Sequence, residues 1–291
     1  MSLRKPIEEC TVGIVGLGLM GGAIALALRK EKIVCEPARL LACDIDAGTI
    51  NVALTEGVID EGFTVPDTML ARCDVVFLCL NPTTLLRFMA QYMAMFRTGA
   101  LLTDIAGIKG SIVAAMEQSL RDDLDFIPGH PMAGCEKGGF ANAVHCNFHG
   151  KNYILTPLAR NKPENLSFLK ALIHRMGFSR ITETTGLDHD RKIAFTSELC
   201  HVIAAALIDC EPDTGITRFG GGSFEDLTRI AMLNAPMWTE IFLENRVELL
   251  ARISQFEGSL TKLKGMIASE QREELETNLC AVRERRAAMS G

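Results

Sequence analysis

Two glycine-containing stretches hold the residues of this chain that are best suited to chemistry. The first, at residues 16–22, reads GLGLMGG, follows an apolar run and has the spacing of a dinucleotide-binding turn. The second, at residues 129–134, reads GHPMAG and begins where a doubly wound domain completes its sheet. A histidine there can accept a proton beside a bound nicotinamide, because its ordinary pKa lies near neutrality. The pair predicts a dehydrogenase with a proton acceptor at His130.

The first stretch predicts the phosphate-binding part of an NAD site. In such turns Gly16 allows the tight bend, Gly18 lets the backbone approach the pyrophosphate, and Gly21 lets the helix pack against the strand. Leu19 and Met20 lie between these glycines, where a helix N-terminus offers free N–H groups to an anion. The alternative is a glycine-rich turn without a ligand.

Polar side chains end three further apolar runs. Asp44 ends the run after the fingerprint, where a carboxylate binds the ribose hydroxyls and repels a 2′-phosphate, so NAD is favoured over NADP. The alternative for Asp44 is the cap of the next helix. Asn81 and Asp104 end the runs at 74–80 and 100–103. Because ligands bind beyond the carboxyl ends of parallel strands, both are predicted at the cofactor site.

The elements that must position these residues alternate along the first two-thirds of the chain. Short apolar runs, typical of strands buried on both faces, alternate with helix-forming segments of about ten or more residues. We therefore predict an α/β fold, with a Rossmann-type doubly wound, NAD-binding domain at 1–184. The runs at 151–157 and 179–182 are predicted as late strands around a helix at 163–176.

From about residue 187 the pattern is helical only, which predicts an all-helical substrate and dimerisation domain at 185–291. The segment 194–208 is apolar almost all round, as in a helix buried on most sides. Helical periodicity continues from 238 to 267. These helices carry more apolar surface than the core of one small domain can bury. We therefore hypothesise that the protein forms a homodimer through them.

Composition excludes several classes of protein. The net charge is −6 without a basic run, which argues against a nucleic-acid partner. No apolar stretch approaches the roughly 20 residues that span a bilayer, and the polar N-terminus does not resemble a signal peptide. The ten cysteines contain no Cys-x-x-Cys pair, and the cluster His145-Cys146-x-x-His149 has no further ligand nearby. We expect a cytoplasmic protein with reduced thiols, no metal and no membrane partner.

Together these stretches make the chain resemble the prephenate dehydrogenase family, which includes arogenate and cyclohexadienyl dehydrogenases. The stretches that carry the resemblance are GLGLMGG at 16–22, TDIAGIKG at 103–110, HPMAGCEKGG at 130–139, LDHD at 187–190, SELCH at 197–201, and GGGSFEDLTRIA with PMWTEIFLEN between 220 and 245. The resemblance implies oxidative decarboxylation of a cyclohexadienol: C4 gives a hydride to NAD, its hydroxyl loses a proton, and the ring carboxylate leaves as CO2. Dehydrogenases of the hydroxyisobutyrate type share the first stretch, but the Gly-Gly-Lys context of their catalytic lysine is absent here.

The resemblance also implies roles for individual residues of the substrate site. His130 matches the catalytic histidine, and Arg229 matches an arginine that binds a substrate carboxylate. His201 and His189 match polar residues of the substrate pocket, and Glu198 is predicted to lie beside them. Each of the matched residues also has an alternative without a ligand. His130 could be a loop residue hydrogen-bonded to backbone, and His201 could be a core histidine whose hydrogen bonds are made within the protein. His189 and Asp190 could be a pair at the start of a helix, and Arg229 could form an ion pair within the chain.

Two further features are implied for the rim of the site. Glu136 and Asp226 match the acidic partners of an ionic network that gates it. Gly221 lies in a run of three glycines that resembles a loop reaching toward the active site of the other subunit.

Two positions depart from the family pattern. Gly107 stands where family members usually have a serine, whose hydroxyl would contact the substrate C4 oxygen and the nicotinamide. Glu198 replaces a histidine, and its charge near the pocket would favour an amino group, as in arogenate or an amino-substituted ring, over the pyruvyl group of prephenate. Two other functions stay open: a dehydrogenase acting on another cyclohexadienol, and a catalytically weakened NAD-binding protein.

Overall fold

The computed structural model describes residues 5–34, 39–135 and 137–289. Its first part is a six-stranded parallel sheet in the order β3-β2-β1-β4-β5-β6, the order of a Rossmann-type doubly wound domain. The strands are β1 Val12–Val15, β2 Leu40–Cys43, β3 Glu61–Phe63, β4 Val75–Leu78, β5 Leu101–Asp104 and β6 Asp125–Ile127. The chain reverses its direction of strand addition after β3, so the loops after β1 and β4 diverge at one edge. A crevice for a ligand forms at such a point.

Helices cover both faces of this sheet. They are α1 Leu19–Lys30, α2 Ala47–Thr55, α3 Asp67–Leu70, α4 Pro82–Tyr92, α5 Gly110–Ser119 and α6 Pro163–Arg175. Alternate residues of β4 enter two separate core clusters: Val75 and Phe77 pack with α1 and α6, and Val76 and Leu78 pack with α4 and α5. Burial on both faces explains why these runs are continuously apolar.

The predicted late strands and the helix between them are present, but the strands do not belong to the first sheet; they form part of a second, three-stranded sheet. It consists of β7 Gly129–Pro131, β8 Asn152–Leu155 and β9 Arg180–Glu183, with β7 antiparallel to β8 and β8 parallel to β9. Only Pro128 separates β6 from β7, which leaves no room for the crossover helix that a further parallel strand requires. The chain therefore starts a new sheet, and its first strand carries His130.

The remainder of the chain is helical, as predicted. The elements are α7 Gly186–Ile193, the π-helical segment Ala194–Glu198, α8 Leu199–Asp209, α9 Gly222–Thr228, α10 Ala235–Glu244, α11 Arg246–Ala268 and α12 Arg272–Ala288. The predicted continuous helix over 238–267 is wrong, because Asn245 leaves helical geometry with φ −102° and ψ 20°. Its side-chain amide instead donates to groups of the preceding helices. Among the described residues, no helix is long and apolar enough to cross a membrane.

Candidate active site

The glycine turn between β1 and α1 has the geometry of a phosphate cradle. Gly16 has φ +90°, and a Cβ at Gly21 would lie 1.9 Å from the carbonyl oxygen of Gly16, so the turn closes only with glycines. Gly18 caps α1 without a side chain, and no atom of the described residues lies within 4 Å of a Cβ built there. Leu19 and Met20 form the first turn of α1, whose N–H groups face this space. These features fit a dinucleotide pyrophosphate.

Asp44 holds the same turn from the end of β2. Its Oδ2 accepts a hydrogen bond of 2.6 Å from the Leu17 N–H, and its Oδ1 accepts one of 2.9 Å from the Asp46 N–H. The alternative that Asp44 caps the next helix is wrong, because Asp46 caps α2 by accepting from the Gly48 N–H. The half-buried Asp44 carboxylate therefore lies directly beside the glycine turn.

The other two predicted cofactor residues differ from each other. Asn81 is exposed at the N-terminus of α4, and its side chain makes no capping bond. Asp104 is completely buried, and its oxygens accept hydrogen bonds from the Ala106 and Gly129 N–H groups and from the Lys109 ammonium. A side chain sealed in this way cannot touch a cofactor. The predicted contact is therefore corrected: Asp104 fixes the backbone that precedes His130.

His130 is joined to a second histidine and an aspartate. Its Nδ1 lies 2.9 Å from Nε2 of His189, and Nδ1 of His189 lies 2.7 Å from Oδ1 of Asp190. His130 is on β7 and the other two are on α7, so two separate parts of the fold create the contact. The ring bonds to another side chain, so the alternative of a loop histidine bound to backbone is wrong.

The protonation pattern of this chain of side chains follows from its acidic end. A carboxylate only accepts, so His189 must carry its proton on Nδ1 and present a lone pair at Nε2. His130 must then donate from Nδ1, which leaves its own Nε2 without a proton and able to accept one. Burial, then the charges of His189 and Lys109, hold the pKa of His130 well below its ordinary value. His130 is therefore a neutral base at pH 7.

His189 itself is corrected from a substrate-binding residue to a positioning residue. It is buried, and both its ring nitrogens are engaged, one by His130 and one by Asp190. Burial lowers its pKa, although the hydrogen bond to Asp190 acts in the opposite direction. It lies inside α7, whose cap is Thr185, and is not the helix-start residue of the alternative interpretation.

Asp190 is anchored at the N-terminus of α5. Its two oxygens accept hydrogen bonds of 2.8 Å and 2.7 Å from the N–H groups of Lys109 and Gly110. The positive end of the α5 dipole stabilises a negative charge there. The Lys109 side chain runs into the interior and pairs with Asp104; burial lowers its pKa, and the charge of Asp104 opposes this effect. These bonds join the 105–110 loop, β7 and α7 into one support for His130.

Gly107 leaves room for a Cβ atom beside the free nitrogen of His130. A Cβ built on Gly107 would lie 3.9 Å from Nε2 of His130 and 3.7 Å from Cδ1 of Ile241, both ordinary van der Waals distances. Gly107, the position for which the family resemblance implies a serine, therefore lies beside the base. It has no hydroxyl, and a Cβ could be added there without a close contact.

Helix α10 connects His130 to His201. Cδ1 of Ile241 lies 3.7 Å from the place of a Cβ on Gly107, and Trp238, one turn earlier, packs against His201 with ring centroids 3.7 Å apart. His201 donates from Nδ1 to the Ser197 carbonyl oxygen at 2.8 Å, which leaves Nε2 as an acceptor; burial lowers its pKa. One face of α10 therefore lies close to both Gly107 and His201.

Glu198 does not lie in the pocket. The side chain is completely buried, and both oxygens accept from the Asn245 side-chain amide at 3.0 Å. The prediction that Glu198 contacts substrate is therefore corrected. The idea that its charge selects an amino group by direct contact loses its structural basis as well.

The remaining predicted residues lie at the exposed side of the helical part. Arg229 begins the 3₁₀ segment Arg229–Ala231, which packs on α8, the helix that carries His201. Asp226 is exposed on α9, and Gly221 is the exposed N-cap of that helix. Glu136, the other predicted gating residue, lies outside the described residues.

Three functional contributions were missed by sequence reasoning. Asp190 was considered only as part of a helix-start pair, although an acid next to a histidine is a signal for an oriented imidazole. Trp238 and Ile241 have the i, i+3 spacing of one helix face. The role of Asn245 has no local signal, because it depends on contacts with residues 47 and 55 positions earlier in the chain.

The sequence matches one protein family over both parts of the chain. Residues 24–182 match the family model described as prephenate dehydrogenase, nucleotide-binding domain, and residues 185–280 match prephenate dehydrogenase, dimerization domain. A prephenate dehydrogenase of Bacillus subtilis is 29% identical over 274 residues, which cover 91% of this chain and 72% of that protein.

Two solved structures are similar over nearly the whole chain. The crystal structure of prephenate dehydrogenase from Aquifex aeolicus with hydroxyphenyl propionate and NAD+ has a TM-score of 0.86 at 31% identity, covering 98% of this chain and 100% of that one. Arogenate dehydrogenase of Synechocystis has a TM-score of 0.78 at 27% identity, covering 96% of this chain and 99% of that one.

Proposed function

This chain belongs to the prephenate dehydrogenase family, and on that premise we propose that it oxidises and decarboxylates prephenate or arogenate with NAD. The product would be 4-hydroxyphenylpyruvate from prephenate or tyrosine from arogenate, which is a step of tyrosine biosynthesis. Similarity to both prephenate and arogenate dehydrogenases supports the reaction class and leaves both substrates as candidates.

The observation that carries the proposal is the orientation of His130. Its Nε2 has a free lone pair, since Asp190 fixes the tautomer of His189 and His189 fixes that of His130. This nitrogen lies beside Gly107, after the carboxyl end of β5. A base held in that direction suits removal of a hydroxyl proton beside a bound dinucleotide.

The residues then divide the work of the reaction. Bound NAD+ supplies the hydride acceptor. His130 takes the C4 hydroxyl proton at Nε2, and the carboxylate of Asp190, acting through His189, stabilises the imidazolium that forms. Arg229 and His201 bind the polar groups of the substrate, and Trp238 keeps His201 in place. Formation of the aromatic ring drives loss of CO2. The electron pair that the carboxylate releases passes through the ring to the C4 oxygen, and protonated His130 returns its proton there to give the phenol.

The NAD site is assigned to the glycine turn and its neighbours. Gly16, Gly18 and Gly21 form the pyrophosphate cradle, with Leu19 and Met20 supplying N–H groups of α1. Asp44 binds the adenosine ribose and disfavours NADP. Asn81, exposed at the end of β4, contacts the cofactor further along the crevice.

The assembly is proposed to be a homodimer through the C-terminal helices. Exposed apolar side chains are frequent on these helices, among them Leu243, Val247, Leu250 and Leu279. The NAD-binding part is 1–184 and the substrate and dimerisation part 185–291. Light scattering should give about 64 kDa, twice the chain mass of 31.8 kDa. A mass of one chain contradicts the dimer.

Two features of the rim follow from the dimer. The glycine loop containing Gly221 reaches toward the partner's active site, and Asp226 and Glu136 belong to an ionic network that gates the pocket. Exposure of Gly221 and Asp226 in the single chain supports this role. We also assign the protein to the cytoplasm, because every cysteine in the described ranges is unpaired, as in a reducing compartment.

The experiment is a substrate screen with product analysis. The purified protein is mixed with NAD+ and either prephenate or arogenate; NADH is followed by absorbance, and the aromatic product and CO2 are identified. We expect stoichiometric NADH and aromatic product from at least one of the two. If NADH forms only from another cyclohexadienol, the proposed substrates are wrong. If the protein binds NAD+ but turns over no cyclohexadienol, the proposed enzyme activity is wrong.

A further inference from the structure

Glu198 is a buried carboxylate to which the mechanism above gives no role. It ends the π-helical segment Ala194–Glu198, a rare geometry that is frequent at functional sites. Its side chain is completely buried, and within the described residues its recorded partner is the Asn245 side-chain amide, which donates to both oxygens at 3.0 Å. An ionised carboxylate held by a single N–H group in the interior is expensive. A buried carboxylate that costs stability is often retained because it contributes to function.

Asn245 connects this carboxylate to the support of the base. The same Nδ2 that binds Glu198 donates to the backbone carbonyl of Asp190 at 2.9 Å. The side chain of Asp190 holds His189, and His189 holds His130. Hydrogen bonds therefore connect Glu198 to the backbone of Asp190, and further hydrogen bonds connect the Asp190 side chain, through His189, to Nδ1 of His130.

We propose that Glu198 is a positioning residue for the base: through Asn245 it fixes Asp190, and its charge favours protonation of the imidazole pair. The inference rests on the proposed function, since it concerns the same proton acceptor. It gives a role to a position for which the family resemblance implies a histidine and this chain has Glu198.

The charges around Glu198 define how it acts. Three helical elements pack against its segment: α7, α8 and α11. From α7 come Asp190, whose charge reaches Glu198, and Arg191, which is paired with Glu248 of α11 at 3.7 Å. From α8 comes His201, which donates to a backbone carbonyl of the same segment. Burial raises the pKa of Glu198 to about 7; the hydrogen bond from Asn245 acts against this rise, and the charge of Asp190 adds to it.

The sign of the effect on catalysis follows. Above pH 7 Glu198 is ionised, and its charge stabilises the imidazolium that forms when His130 accepts the proton. Below pH 7 it is neutral and this help is lost. Burial holds the pKa of His130 well below its ordinary value, so His130 itself remains neutral through this interval. A rise of kcat between about pH 6 and 8 therefore reports Glu198.

The test compares the full pH profile of kcat and KM for the wild type and Glu198→Gln. The amide keeps an oxygen that accepts from Asn245 but has no charge. We expect kcat of the variant to be about tenfold lower at pH 8, equal to wild type at pH 6, and flat in between, with KM changed less than about twofold. Glu164→Gln, an exposed position on α6, is the matched control and should retain the wild-type profile.

The outcomes separate this inference from the proposed function. A wild type that forms no NADH from any cyclohexadienol contradicts the function itself. An active wild type whose pH-dependent rise persists in Glu198→Gln overturns the inference. A variant that loses kcat equally at pH 6 and pH 8 also overturns it, because a purely structural defect has no reason to follow the charge. Thermal unfolding and NAD+ binding of the variant confirm that it is folded.

Discussion

Replacing Gly107 by serine should make this enzyme faster. The backbone at Gly107 does not have positive φ, and a Cβ there would lie 3.7 Å from Ile241 and 3.9 Å from His130, so the added Cβ fits without displacement of either side chain. A Cβ–Oγ bond adds about 1.4 Å, which lets one staggered rotamer bring the hydroxyl to hydrogen-bonding distance of an oxygen held by His130 Nε2.

The size of the gain follows from one added hydrogen bond. A neutral hydrogen bond contributes about 0.5–1.5 kcal/mol, so kcat/KM should rise about 2- to 12-fold. The gain should appear mainly in kcat, since the bond strengthens as the C4 oxygen loses its proton. Initial rates of NADH formation over a range of substrate concentrations measure both constants.

Gly107→Ala separates the hydroxyl from the methylene. Alanine adds the same Cβ and the same loss of backbone freedom, so it should stay within about twofold of the wild type. A serine variant that is no faster than the alanine variant refutes the argument. Such a result would mean that the hydroxyl has no partner in the transition state.

Three more changes have defined expectations. In Asp190→Asn the side-chain amide can donate a hydrogen bond to His189, which reverses the tautomers of His189 and His130. We expect kcat to fall about 10²- to 10⁴-fold, with NAD+ affinity nearly unchanged. A loss of kcat below tenfold contradicts the tautomer argument. Burial raises the pKa of Glu198 from 4.5 to about 7, so the folded state loses stability as pH rises from 4.5 to 7, where the carboxyl ionises in the unfolded chain first. The free energy of unfolding of Glu198→Gln, measured by chemical denaturation, should therefore exceed that of the wild type by about 3 kcal/mol at pH 8. At pH 4.5 the two proteins should be equally stable. Asp44→Ser removes the carboxylate beside the glycine turn. The ratio of kcat/KM with NAD+ to kcat/KM with NADP+ should therefore fall at least tenfold. If this ratio does not change, Asp44 is not the residue that selects NAD+.

Much of the fold could be predicted because its signals are local. The apolar run of β4 is continuous since both faces are covered, and the glycine turn requires glycines at fixed spacing. The second sheet could not be predicted in the same way, because strand partners are set by distant residues. The break at Asn245 also coincides with distant contacts, since its side-chain amide binds Glu198 and the Asp190 carbonyl.

The candidate site shows a similar division between residue type and residue role. His130 is predicted from its place after the sheet, and in the structure its free nitrogen lies beside Gly107. Asp104, His189 and Glu198 were predicted to touch ligands, but all three are buried and bonded to neighbouring groups. A polar residue near a motif can bind a ligand or support another side chain, and only tertiary burial distinguishes the two.

Single-turnover NADH formation by His130→Asn tests the central claim most directly. Wild type and variant are each saturated with NAD+ and with the substrate that the screen identifies, and NAD+ binding is measured on the same samples. We expect nearly unchanged NAD+ affinity and a rate of NADH formation about 10²- to 10⁴-fold lower, because the proton acceptor is gone. A variant that binds NAD+ normally and forms NADH at the wild-type rate contradicts the role of His130.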